Sequence, residues 1–196
     1  MIDSKYRGFF QPIFDVLSRV FIKLKISADS ITVIGFIVGV GSGIAVGFGK
    51  FYLAILLLLI SGLFDVIDGT VARMEGKTSP FGAYMDLVFD RLVESSVVLG
   101  FLLFFPEHSF IYAFFLVSML FNFTTFLLAG ALFVNEGSKS IHYDSGWAER
   151  TETFITFVLM MMFQDFNHII LIVFTIIVIM TGIKRFYNIA KYVKRH

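Results

Sequence analysis

SGLFDVIDGTVARMEGKTSPFGAYMDLVFDRLVESS, residues 61–96, sets four aspartates inside two stretches that are otherwise apolar. Asp65 and Asp68 share the first stretch, and Asp86 and Asp90 share the second. Spacings of three and four each put two carboxylates on one face of a helix. A short turn around Glu75–Pro80 joins the stretches, which predicts antiparallel neighbouring helices with all four acids at similar depth.

The rest of the chain explains why such acids matter. Of its 196 residues, 57% are hydrophobic and 16% charged, against about 25% charged in soluble domains. Mean hydropathy is +0.84. This composition predicts a membrane protein and excludes an ordinary soluble one. Ionised Asp at the centre of a membrane helix costs about 2.5–3.5 kcal/mol. Intramembrane acids are therefore functional candidates by default.

Six apolar segments are long enough to read as spans, at about 31–49, 51–73, 81–105, 109–134, 152–164 and 168–187, the fifth being short for that role. Before them, residues 6–25 carry Phe9, Phe10, Ile13, Phe14, Leu17, Val20, Phe21 and Leu24 at helical spacing between basic residues. That pattern predicts an amphipathic interfacial helix. The same basic residues break up the start of the chain too often for a cleavable signal core. The expected fold is all-α: one membrane domain over 1–196, six transmembrane helices and the N-terminal interfacial helix.

With six spans, both termini and the loops after spans two and four share one side. Counting Arg91 at the start of span three, all 16 Lys and Arg except Lys50 fall on that side. Such a bias marks the cytoplasmic side. The expected location is a cytoplasmic or inner membrane, with termini and acids facing the cytoplasm. Gly35, Gly39, Gly43 and Gly47 form a stripe of small residues on the first span, a packing face within the bundle or between protomers.

The chain has no cysteine, which excludes thiolate metal sites and a Cys nucleophile. The acids offer hard oxygen ligands with no His beside them, favouring Mg²⁺, Mn²⁺ or Ca²⁺ over zinc or copper. Four carboxylates are about enough for two metal ions sharing a bridging ligand, a pair suited to clamping phosphates. Gly69, Ala72 and Gly82 leave room beside them, and Arg73 offers a planar fork for phosphate. From the residues alone three readings stand: structural Asp–Arg pairs through Arg73 or Arg91, an ion or proton pathway, and metal-assisted phosphate chemistry.

Asp65-x2-Asp68-Gly69-x2-Ala72-Arg73-x8-Gly82-x3-Asp86-x3-Asp90 resembles the signature of the CDP-alcohol phosphotransferases. The resemblance implies a phospholipid-synthesis transferase that moves a phosphatidyl group from a CDP-activated donor to a hydroxyl, releasing CMP. It implies two Mg²⁺ or Mn²⁺ ions on Asp65, Asp68, Asp86 and Asp90, with Asp90 also the general base. Gly69, Ala72, Arg73, Ser79 and Gly82 would line the CDP site. Ile26–Thr32 is similar to the family's nucleotide-contacting segment, with Asp29 and Thr32 at its polar positions and Ala28 where the family has Pro. The family works as homodimers.

Donor and acceptor are less legible. CDP-diacylglycerol with a small polar alcohol or alcohol phosphate is expected. The alternatives are a soluble CDP-alcohol with a diacylglycerol acceptor and, from another class, a cation transporter. Lys139, Arg150 and Arg185 are the candidate acceptor contacts. Glu149-Arg150-x-Glu152 and Lys184-Arg185 resemble regions of the inositol-phosphate-using branch. Leu132–Glu136, where that branch is basic, carries no Lys or Arg here.

Overall fold

A computed structural model of the chain describes residues 2–132 and 150–193. The described residues are helical almost throughout. Helix α1 runs Ile2–Lys23, α2 Ala28–Gly47, α3 Phe51–Met74, α4 Pro80–Phe104, α5 Ser109–Leu132, α6 Arg150–Met162 and α7 Asn167–Val193. Short 3-10 turns at Pro106–His108 and Gln164–Phe166 lead into α5 and α7. The chain divides between Glu107 and His108 into two compact units.

Each expected segment is helical over its described residues, α7 running on to Val193, past its expected end at 187. Four segments are long and apolar enough to cross a bilayer: Ala28–Gly47, Phe51–Met74, Pro106–Leu132 and Gln164–Val193. The remaining two expected spans differ for plain reasons. Helix α4 is long enough but carries Asp86, Asp90, Arg91 and Glu94, and α6 has only 13 residues. At 1.5 Å per residue, α6 reaches about 20 Å, short of a hydrocarbon core of about 30 Å.

In the first unit, α2 is the hub. Helices α3 and α4 pack along α2 rather than along each other, a departure from the side-by-side pair expected. The glycine stripe is the reason. A Cβ on Gly35 would stand 3.0 Å from Phe64 Cβ on α3, and one on Gly39 would stand 2.6 Å from both Ser61 Oγ and Val93 Cγ2. Gly43 lies against the Ser96 backbone, and Gly100 of α4 lies against the Gly43 carbonyl. Both neighbours thus seat their backbones in the groove that the missing side chains leave, as the stripe predicted. Two buried hydroxyls tie α2 to α3: Ser61 Oγ donates to the Gly35 carbonyl and Ser42 Oγ to the Ala54 carbonyl, each at 2.8 Å.

Helix α1 divides its described apolar side chains between a packed and an exposed set. Leu17, Phe21 and Ile22 pack on the buried cluster Ile31, Ile67 and Val71, while Ile13, Val16 and Val20 are exposed, as is Leu24 just past the helix end. In the second unit, α5 and α6 both pack on α7. Phe115 of α5 lies between Phe157 of α6 and Phe174 of α7. The Tyr112 hydroxyl donates to Asn167 Oδ1, and His108 stacks on His168 with ring centroids 4.1 Å apart.

Candidate functional site

The turn between α3 and α4 is built from local chemistry. Gly76 takes φ +66, Gly76 N donates to the Arg73 carbonyl and Lys77 N to the Ala72 carbonyl, at 3.2 and 2.9 Å. This pairing is the Schellman closure that a left-handed glycine permits. Ser79 then caps α4, its Oγ accepting from Gly82 N at 2.9 Å, and Pro80 occupies the first helical turn. One short connection therefore sets α4 running back against the direction of α3.

Asp65, Asp68 and Asp86 converge. One carboxylate oxygen from each lies within 4.8 Å of the other two. Asp68 is buried, and Asp65 and Asp86 are half-buried. At an effective dielectric of about 20, two such charges repel by roughly 3.5 kcal/mol at that separation. A cation offsets that cost. An octahedral Mg²⁺ or Mn²⁺ with bonds of about 2.1 Å has its ligand oxygens roughly 3.0 Å apart when adjacent and 4.2 Å when opposite. Small side-chain rotations bring the three acids into that range, and their all-oxygen set suits a hard cation. The residues fit a divalent metal. Asp90 lies one turn beyond Asp86 on α4, half-buried, with the neighbouring Phe89 ring stacked 4.4 Å from Phe36 of α2.

The residues expected to meet a nucleotide gather at three helix ends. The Arg73 guanidinium folds back over Gly69, where a Cβ would stand 3.2 Å from Nη1. Its Nη2 donates to Thr70 Oγ1 at 3.0 Å, and Thr70 Oγ1 donates to the Val66 carbonyl. Ala72, one residue before Arg73, is half-buried. Asp29 Oδ1 lies 3.7 Å from the Cβ position of Gly82. The N-termini of α2 and α4 are therefore adjacent, with Ser79 exposed between them. Helix N-termini favour phosphate through free N–H groups and the helix dipole. Thr32 is turned to its own helix, donating to the Ala28 carbonyl at 3.0 Å.

Arg150 and Arg185 belong to the second unit: Arg150 sits 5.5 Å from the Phe154 ring centroid, and Arg185 Nη1 donates to Asn122 Oδ1 at 2.8 Å. Lys139 lies outside the described residues. Glu94 is 1% exposed and paired with Arg91 at 2.6 Å. Sequence reasoning missed Thr70 and Asn122. A lone Asn in an apolar helix was the available signal for the second; for Thr70 there was only its helical spacing to Arg73.

The model of the CDP-alcohol phosphatidyltransferase family matches residues 25–183. The chain is 30% identical over 167 residues to the inner membrane protein YnjF of Escherichia coli, covering 81% of each protein. It is 33% identical over 94 residues to archaetidylinositol phosphate synthase of Methanothermobacter thermautotrophicus, covering 48% of this chain and 45% of that one. It is 30% identical over 105 residues to phosphatidylinositol phosphate synthase of Streptomyces avermitilis, covering 53% of this chain and 43% of that one. The chain thus spans less than half the length of these two synthases. Among solved structures, phosphatidylinositol phosphate synthase PgsA1 of Mycobacterium tuberculosis with CDP-DAG bound superposes with a TM-score of 0.77 at 20% identity, over 90% of this chain and 92% of that one. The same protein in complex with manganese and citrate gives 0.77 at 20% identity, over 89% and 87%. At that identity the likeness establishes a shared fold.

Proposed function

The chain belongs to the CDP-alcohol phosphatidyltransferase family, metal-dependent transferases of phospholipid synthesis in the membrane, and from that premise we propose its reaction. It moves a phosphatidyl group from CDP-diacylglycerol, or an ether-lipid analogue, to a hydroxyl of a small polar acceptor and releases CMP. The convergence of Asp65, Asp68 and Asp86 within 4.8 Å, beside an Arg73 guanidinium laid over Gly69, carries this reading.

Asp65, Asp68, Asp86 and Asp90 hold two divalent ions in this proposal. Bound metal would supply neutralisation of charge on the diphosphate and on the departing CMP. Arg73 adds a planar pair of donors to the same phosphates, oriented by its bond to Thr70. Gly69, Ala72 and Gly82 let the diphosphate approach the backbone, while Asp29, Thr32 and Ser79 contact the nucleotide. Asp90 accepts the hydroxyl proton as the acceptor oxygen attacks the phosphorus distal to cytidine. The new P–O bond forms as the bond to CMP breaks.

An alcohol phosphate is the favoured acceptor, with inositol phosphate first, because relatives are named archaetidylinositol phosphate synthase and phosphatidylinositol phosphate synthase. Lys139, Arg150 and Arg185 are its proposed contacts. Helices α2–α7, the short α6 among them, are the six membrane segments in this proposal, with α1 on the headgroup surface and both termini cytoplasmic. The chain acts as one domain and as a homodimer. Cation transport has no support from the family.

The test is CMP release by purified protein supplied with Mg²⁺ or Mn²⁺, each donor class and a panel of alcohols and alcohol phosphates. Turnover with a CDP-lipid and loss of turnover in Asp90→Asn are expected. Turnover only with a soluble CDP-alcohol and diacylglycerol reassigns the donor. No CMP from any combination defeats the proposal.

A further inference from the structure

In the second unit, α7 approaches α5 closely at Gly182. A Cβ there would stand 2.5 Å from Phe121 Cε1 and 2.8 Å from Cδ1, so the Phe121 ring occupies the space a side chain would need. One turn later the same approach brings Arg185 onto α5. Its Nη1 donates to Asn122 Oδ1 at 2.8 Å, and its guanidinium carbon lies 5.3 Å from the centroid of the Phe126 ring. Asn122 and Phe126 are four residues apart and share one face of α5, so an amide oxygen accepts from the guanidinium while the guanidinium carbon sits over a ring. Both groups are neutral. An Asp at 122 could accept the same bond but would bring a negative charge against any anion that approached.

We propose that Asn122 is a positioning residue for acceptor selectivity: by orienting the Arg185 guanidinium without adding negative charge, it favours a phosphorylated acceptor over the corresponding free alcohol. This rests on the acceptor role proposed for Arg185. A guanidinium receives a phosphate well only when its planar fork is aimed, and hydrogen bonds to charged groups are the costly ones to lose. The Asn122 bond spans two helices and fixes that aim, with the Phe126 ring packed beneath the guanidinium carbon.

The test is steady-state kinetics on purified wild type, Asn122→Ala, Asn122→Asp and Arg185→Gln. The acceptors are inositol phosphate against inositol and glycerol phosphate against glycerol, and the thermal midpoint of each variant is followed. Asn122→Ala should raise KM for the phosphorylated acceptor roughly tenfold. Its kcat and its KM for the CDP-lipid should stay within about twofold of wild type on the same reasoning. Asn122→Asp keeps the hydrogen bond and the thermal midpoint, yet should raise that KM further than Ala does. A purely structural bond predicts the opposite, rescue by Asp, and that result overturns the inference. So does an equal change for phosphorylated and free acceptors. Arg185→Gln separates the two levels. If it leaves the phosphorylated-acceptor KM unchanged, or if no phosphorylated alcohol is a substrate, the acceptor role of Arg185 falls and Asn122 with it. If it raises KM while both Asn122 variants match wild type, only the role of Asn122 falls.

Discussion

Gly39→Ala should weaken metal binding from a position that touches no carboxylate. The added Cβ would stand 2.6 Å from Ser61 Oγ on α3 and 2.6 Å from Val93 Cγ2 on α4. Comfortable contact needs about 3.5 Å, so each neighbour must retreat by roughly 0.9 Å. Neither does so easily: Ser61 is held by its bond to the Gly35 carbonyl, and a helical Val has essentially one χ1 rotamer. Overpacking of this kind costs about 1–3 kcal/mol, offset by about 1 kcal/mol of helix propensity gained over Gly. Asp65 lies one turn beyond Ser61 on α3, and Asp90 and Asp86 lie one and two turns before Val93 on α4. Moving the helices apart by that amount widens a carboxylate cluster now within 4.8 Å, against the roughly 4.2 Å that opposite ligands of one ion require. Mn²⁺ affinity should fall about tenfold, equivalent to about 1.4 kcal/mol. The net cost of about 1 kcal/mol should lower the thermal midpoint in detergent by roughly 3 °C. Mn²⁺ titration followed by electron paramagnetic resonance reads the first effect and a melting curve the second. Gly41→Ala is the control, since its Cβ would meet only Leu57 Cδ1 at 3.7 Å. If Gly39→Ala binds Mn²⁺ and melts as Gly41→Ala does, the coupling of the glycine groove to the site is refuted.

Three further outcomes are expected. Arg73→Lys loses the planar fork and should raise KM for the CDP-lipid at least about tenfold with the thermal midpoint unchanged, as steady-state CMP release will show. Ser79→Ala removes the cap on α4 and should cost about 1 kcal/mol of stability, measured by thermal or denaturant unfolding in detergent. Arg91→Met strips the cation from a Glu94 that is 1% exposed and should destabilise by about 3 kcal/mol, whereas Arg91→Met with Glu94→Leu should recover most of the loss in the same melts.

Much of this was legible in the residue order, because it is written in periodicity and local chemistry. Gly76, Ser79 and Pro80 are an ordinary helix stop and start, and they put the α3–α4 turn where Glu75–Pro80 predicted it. The stripe from Gly35 to Gly47 announced a close helix approach, and both α3 and α4 use it. What could not be read was rotation of one helix about another. Spacing places Asp86 and Asp90 on one face of α4, but it does not say that Asp65, Asp68 and Asp86 form the convergent trio. Nor does it say that α2 takes the principal packing of both acid-bearing helices. The pairs Arg73–Thr70 and Arg185–Asn122 were missed because each side chain has several rotamers and packing selects one. The divergence in span count has two causes: α4 carries Asp86, Asp90, Arg91 and Glu94, too much charge for a hydrocarbon span, and α6 has only 13 residues.

Anomalous diffraction at the manganese edge, from crystals grown with Mn²⁺ and a CDP-lipid, tests the metal centre most directly. Anomalous density should lie between the Asp65, Asp68 and Asp86 carboxylates and be lost in Asp68→Asn. Manganese bound elsewhere, or density that survives Asp68→Asn undiminished, would contradict it.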